Sequence, residues 1–229
     1  ATGKVTRVAY KEGKAQLRSP SRALFAKELR RFTASPNYML NCGLSTLMLP
    51  LAGIALLFKG AELTNTLGLV FAARPGAVTA LLCAVICMLI AMNDTAAPSI
   101  SLEGKALWQL QSLPVRPWHV LRAKLAVQLA ITMLPALFCS VCAALACRLP
   151  AVDTVLVLVL AQLCALFLAC LDLSIGVKRP NLNWTSEIVP IKQGLGVFLA
   201  LIIGWVYGLL LGGGYLLVGY RLGLLPFLG

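Results

Sequence analysis

Residues 125–147 read LAVQLAITMLPALFCSVCAALAC, an uncharged run of 23 positions bounded by Lys124 and Arg148. Wound as an α-helix at about 1.5 Å per residue, this run is about 34 Å long, enough to cross a hydrocarbon core of about 30 Å. Four more stretches of the same kind flank it, and the expected spans are 38–58, 75–93, 125–147, 154–171 and 194–214. The whole chain of 229 residues is 59% hydrophobic and 12% charged. A soluble domain carries about 25% charged residues, so a water-soluble globule of this size could not hide the excess apolar surface. The expected fold is an all-α integral membrane protein, a bundle of five transmembrane helices.

Charge sets the expected orientation. The net charge is +12, but the basic residues fall between the spans, where topology signals belong, so nucleic acid is not an expected partner. Nine lysines and arginines precede the first span, four lie in loop 94–124 and three in loop 172–192. Only Lys59, Arg74, Arg148 and Arg221 fall in the other connections. The excess of positive charge on cytoplasmic loops places the N-terminus in the cytoplasm. Five crossings then leave the C-terminus outside on an apolar run, Leu222 to Gly229, and the chain begins at Ala1. Both features suggest a portion of a longer polypeptide; a complete chain with a re-entrant tail is the alternative.

The domain organisation expected is 1–37 as a cytoplasmic tail and interfacial helix, followed by a transmembrane domain over 38–229. Ser19 can cap a short helix whose first turn suits Pro20. Leu24, Phe25, Leu29 and Phe32 share one face of it, and Arg22, Lys27, Glu28, Arg30 and Arg31 take the other, the pattern of a helix lying in the membrane interface. In loop 94–124, Ser101 can cap a second surface helix running to Leu113, ended by Pro114; Pro117 and Trp118 then start the next span. That helix has the shape of a rigid contact for a soluble partner. Gly204, Gly208 and Gly212 form two overlapping G-x-x-x-G units that favour close helix packing in the last span.

Reactive constellations are scarce. No G-x-x-x-x-G-K-[S/T] occurs, because Lys4, Lys14 and Lys105 each follow a glycine but precede Val or Ala. One histidine, His119, rules out H-E-x-x-H, and G-x-S-x-G is also missing. The eight cysteines fall within or beside spans, where they serve as small apolar packing residues; this includes the C-x-x-C of Cys139 and Cys142. The interiors of the spans carry no ionisable group, with Asp153 and Asp172 at opposite ends of the fourth, which disfavours ion coupling. The chain is therefore expected not to be an enzyme, with no catalytic, cofactor-binding or metal site.

Three groups of residues carry a family resemblance. They are Phe25-Ala26-Lys27-Glu28-Leu29-Arg30 with Ser35-Pro36; Ser101-Leu102-Glu103-Gly104-Lys105 with Trp108, Ser112-Leu113-Pro114-Val115 and Ala123-Lys124-Leu125; and Asn183-Trp184-Thr185-Ser186-Glu187 with Lys192-Gln193. In this order they resemble the interfacial helix and two cytoplasmic loops of ABC-2 type transporter permeases of bacteria. The resemblance implies a six-helix transmembrane domain, here lacking its last helix, in the bacterial cytoplasmic membrane. It implies the permease half of an ATP-binding cassette exporter, paired with a second transmembrane half or in a homodimer. ATP and Mg would sit on a partner ATPase subunit rather than in this chain. Carried over residue by residue, the ATPase-coupling positions would be Glu103, Gly104, Lys105, Trp108, Leu113, Pro114 and Arg116. A membrane scaffold or immunity-type protein that binds a partner without moving anything is the alternative function.

Overall fold

The computed structural model describes residues 19–112, 114–192, 195–224 and 226. The polar tail 1–18 and Leu113 lie outside the described residues. In chain order the helices are α1 (Pro20–Ala34), α2 (Pro36–Cys42), α3 (Ser45–Val70), α4 (Ala77–Ile90), α5 (Ala96–Ser99), a 3-10 segment (Ser101–Ala106), α6 (Leu107–Ser112), α7 (Pro117–Ala146), α8 (Ala151–Lys178), α9 (Ile188–Lys192) and α10 (Leu195–Leu217). No strand occurs among the described residues; the one extended pairing is an isolated bridge between Gly43 and Asn93.

Four helices are long and apolar enough to cross a membrane: α3, α7, α8 and the stretch Ile188–Leu217; α4 is a shorter apolar helix. Within their most apolar windows only 17% to 39% of residues are buried inside the protein. Side chains such as Phe58, Leu69, Leu134 and Leu210 stand outward instead. A bundle that buries so little of its most apolar surface has the exterior of a protein solvated by lipid.

The helix bounds depart from the expected spans for local reasons. The stretch 38–58 is divided, because the chain breaks between α2 and α3 where Gly43 bridges Asn93 and packs on the Phe32 ring. Helix α3 then runs on to Val70, past the charges Lys59 and Glu62, which pair at 3.0 Å across one turn. The expected surface helix from Ser101 to Leu113 is likewise broken at Gly104, whose φ of 52° and ψ of −135° are not helical.

Helix α3 packs on α7, α7 on α8, and α4 on α10. The core between them is made of Leu49, Ile86, Ile90, Val157 and Leu168 interleaved with Ala and Cys residues, including Cys83, Cys87, Cys139 and Cys164. Small residues let backbones approach where no hydrophobic effect drives helices together in lipid. Gly53 faces Cys139 and Cys142, and Gly60 faces Ala146. Along α10, Gly204, Gly208 and Gly212 lie against Ala91, Met88 and Ala84. A second, smaller core of Phe32, Tyr38, Cys42, Leu102 and Ile191 ties α1 and α2 to the segment after α4.

Candidate functional site

Glu103 organises the end of the bundle where α7 begins. It is 5% exposed and takes Lys124 Nζ at 2.9 Å, Lys27 Nζ at 3.0 and 3.2 Å, and an ion pair from Arg31 Nη1 at 3.0 Å. Lys124, on the first turns of α7, also reaches Glu28 Oε2 at 3.1 Å and donates to the Ser99 carbonyl at 2.9 Å. Three cations thus enclose two carboxylates drawn from α1, the 3-10 segment and α7. Burial pushes the Glu103 carboxyl up, but Lys124, Arg31 and Lys27 outweigh it and hold it at about 2, below its ordinary 4.5. The cluster turns Glu28 inward, between buried Leu24 and Phe32, and not onto the polar face that helix periodicity assigned to it.

The segment carrying Glu103 is held from the other side by the loop after α8. The Trp184 indole Nε1 donates to the Ser101 carbonyl at 2.6 Å, and the Asn181 N–H donates to Ser101 Oγ at 3.0 Å. Gly104 fits under the same indole: a Cβ there would meet Trp184 Cζ2 at 3.0 Å. Its positive φ and the close ring together require glycine. Arg31 adds a hydrogen bond to the Leu102 carbonyl at 3.3 Å. Further along the chain the surface opens out, and Trp108, Pro114, Arg116 and Trp118 face outward. Beside them lies a groove of about 450 Å³, lined by Leu107, Leu110, Val115 and Val120, with Glu103 and Lys124 at its base.

A second polar group lies deeper. Gln128 Nε2 donates to Asp172 Oδ2 and, at 2.8 Å, to the Asn93 carbonyl, while Gln128 Oε1 accepts from Ala96 N–H at 2.7 Å. Asn93 Nδ2 donates to Thr132 Oγ1 at 3.2 Å, and Tyr38 Oη donates to the Thr95 carbonyl at 2.6 Å. Asp94 sits among these groups, 4% exposed, with its Oδ1 unpartnered. Burial, and then the charge of Asp172, raise the Asp94 carboxyl well above its ordinary range. Asp172, 2% exposed, lies within α8, which continues to Lys178 past the end of the span expected at residue 171.

The structure separates the residues expected to act together. Glu103 and Gly104 are buried and hold the segment from within, whereas Trp108, Pro114 and Arg116 face out. Lys105 continues the 3-10 backbone, and Leu113 lies outside the described residues. Sequence reasoning missed Lys27, Glu28, Arg31 and Lys124 as members of one cluster. The only local hint was that Lys124 precedes an apolar run, and that hint says nothing of its partners.

A family model described as "Putative ATP-binding cassette" matches residues 13–212. The chain belongs to that family. Neither the curated proteins nor the solved structures contain a match. Membership in the ATP-binding cassette family corrects four expectations drawn from the sequence. The family matched is not the ABC-2 permeases, so the reading as a permease half falls with that resemblance, and the scaffold alternative gains nothing. The expectations that the chain is no enzyme and that no ATP or Mg belongs to it are overturned at the family level by a description that names ATP. Transport by an ATP-binding cassette system, and partnership within one, are what the family supports.

The residues of this chain do not fit the nucleotide that the family description names. A triphosphate cradle needs consecutive backbone N–H groups in an open glycine-rich loop after a strand, with a lysine beside it. Among the described residues there is no strand to carry such a loop, and the Gly104-Lys105 step has its glycine filled by the Trp184 ring.

Proposed function

We propose that this chain is a membrane-embedded helical component of an ATP-binding cassette transport system, and that segment 101–116 is where it engages another component of that system. The observation that supports this most is the contrast within the segment. Its first part is clamped by Glu103 to three cations and by Gly104 to Trp184, while Trp108 and Arg116 stand exposed immediately after. A surface fixed from beneath by buried charge pairs transmits a push from a partner into α1 and α7 instead of absorbing it. Glu103 and Gly104 act here as positioning residues, and Trp108, Pro114 and Arg116, with Lys105 and Leu113 close by in the chain, as the contact.

The orientation belongs to the same proposal. The clamped segment and most of the basic residues among those described lie at one end, which the positive-inside rule assigns to the cytoplasm. Helix α1 packs on α7 at that end, and Gly204, Gly208 and Gly212 let α10 close on α4.

A photo-crosslinking amino acid at position 108 or 116, in cells expressing the intact system, tests the contact. The expected result is a cross-link to another component of that system, lost in a Glu103→Gln background. Cross-linking unchanged by Glu103→Gln, or none from either position while 152 on the opposite end cross-links, overturns it.

A further inference from the structure

Arg74 and Arg148 share a cavity at the end of the bundle opposite Glu103. On α7, Lys124 and the last residue, Ala146, are 22 positions apart, about 33 Å of helix, and Arg148 follows two residues beyond that end. Arg74 and Arg148 line a cavity of about 380 Å³ together with Phe71, Pro150 and Asp153. Asp153 is the one acid there, and it is engaged by Thr79 Oγ1 at 2.7 Å. Among the described residues neither arginine has an ion-pair partner, and Arg74 stacks over the Tyr220 ring at 5.4 Å. Arg148 is held at a φ of 49°, a left-handed conformation that costs a non-glycine residue about 1–2 kcal/mol.

A second cavity, of about 530 Å³, shares Leu67 with the first and runs down the seam between α3 and α4. Ala52, Leu56, Leu82 and Val85 line it, and Lys59 is the charged residue along it. Ala52 and Leu67 lie fifteen positions apart, about 22 Å of helix, against about 15 Å for half a bilayer core. A mostly apolar groove long enough for one leaflet's acyl chain thus meets, at Leu67, a pocket lined by two arginines that have no ion-pair partner among the described residues.

We infer that this composite site takes one anionic phospholipid-type amphiphile, its phosphate against Arg74 and Arg148 and one acyl chain in the α3–α4 seam. Phosphate suits the pair because guanidinium forks bind its oxygens with charge-assisted hydrogen bonds. The apolar seam supplies what a free anion would not use. The inference rests on the membrane reading of the long helices and not on the contact proposed for segment 101–116.

The test uses the intact purified chain, challenged in turn with phosphatidylglycerol, phosphatidylcholine and inorganic phosphate and read by native mass spectrometry. Phosphatidylglycerol is expected to be retained about tenfold more strongly than phosphatidylcholine. The double variant Arg74→Gln, Arg148→Gly is expected to lose that preference. Glycine relieves the strained φ, so its melting temperature should equal or exceed the parent's, and loss of lipid cannot be put down to unfolding. Val85→Trp, which fills the seam, should weaken lipid retention while leaving the response to inorganic phosphate as it was. Equal retention of the two lipids, or an undiminished preference in the arginine variant, overturns the inference. Full displacement of the lipid by inorganic phosphate together with no effect of Val85→Trp also overturns it, leaving an anion site without a lipid.

Discussion

Glu103 and Lys124 stand 2.9 Å apart, both drawn almost wholly out of solvent, although 21 residues separate them in the chain. A pair so placed is worth little relative to an apolar pair of the same shape, yet removing one partner strands the other at a cost of about 3–5 kcal/mol. The cluster therefore acts through its completeness.

Glu103 sets an acid limit on stability. Its carboxyl is held at about 2 in the folded chain against 4.5 ordinarily, so it binds protons less readily folded than unfolded. Its contribution is full above pH 4.5 and is lost as pH falls from there toward 2. Melting temperatures followed from neutral pH into that window should fall for the parent. In Glu103→Gln they should start lower and change less; a parallel decline in both would show that another group governs the acid limit.

Lys124 and Lys27 should differ sharply. Lys124→Met leaves Glu28 and Glu103 buried without their central cation and is expected to cost about 3 kcal/mol or more. Lys27, with a side chain 40% exposed, should cost under about 1 kcal/mol when changed to Met. The double variant Glu103→Gln, Lys124→Met should be less destabilised than the sum of its parts, measured by chemical denaturation in detergent. Strict additivity would mean that the two residues do not act as a pair.

Asp94 slopes the opposite way. Its folded carboxyl lies well above the usual range because of burial and Asp172, so folding favours its protonated form. That contribution is present below its unfolded value and is lost as pH rises toward the folded one. Asp94→Asn, which keeps the shape without the charge, should therefore raise the melting temperature at pH 8 more than at pH 5. A larger gain at pH 5 would contradict the assignment.

Gly104 joins the clamp to its lid. In Gly104→Ala the methyl group would meet the Trp184 ring at 3.0 Å and sit at a φ of 52°, a cost of about 1–2 kcal/mol. Loss of the Trp184 to Ser101 contact should expose 179–187, so limited proteolysis should cut there faster than in the parent. An unchanged cleavage rate would indicate that Trp184 is not what holds the segment.

Membrane-crossing helices were legible in the sequence because an uncharged run long enough to span a bilayer is a local property, visible in 125–147 without any neighbour. The glycine spacing 204, 208 and 212 was legible for the same reason, since positions four apart share a helix face. Two things were not. Lys27 lies 76 residues from Glu103, and no periodicity relates them. Asp172 read as the end of a span because a charge marks where a run stops, yet α8 continues to Lys178 with Gln128 satisfying that carboxylate.

The sequence alone thus determined which segments suit lipid and which end carries most positive charge, both being sums over neighbouring residues. Only the tertiary structure decided which charges are buried and with whom: Glu103 with Lys27, Arg31 and Lys124, and Arg74 beside Arg148. Burial and pairing of charge depend on distances between elements remote in the chain, and helix packing alone sets those distances.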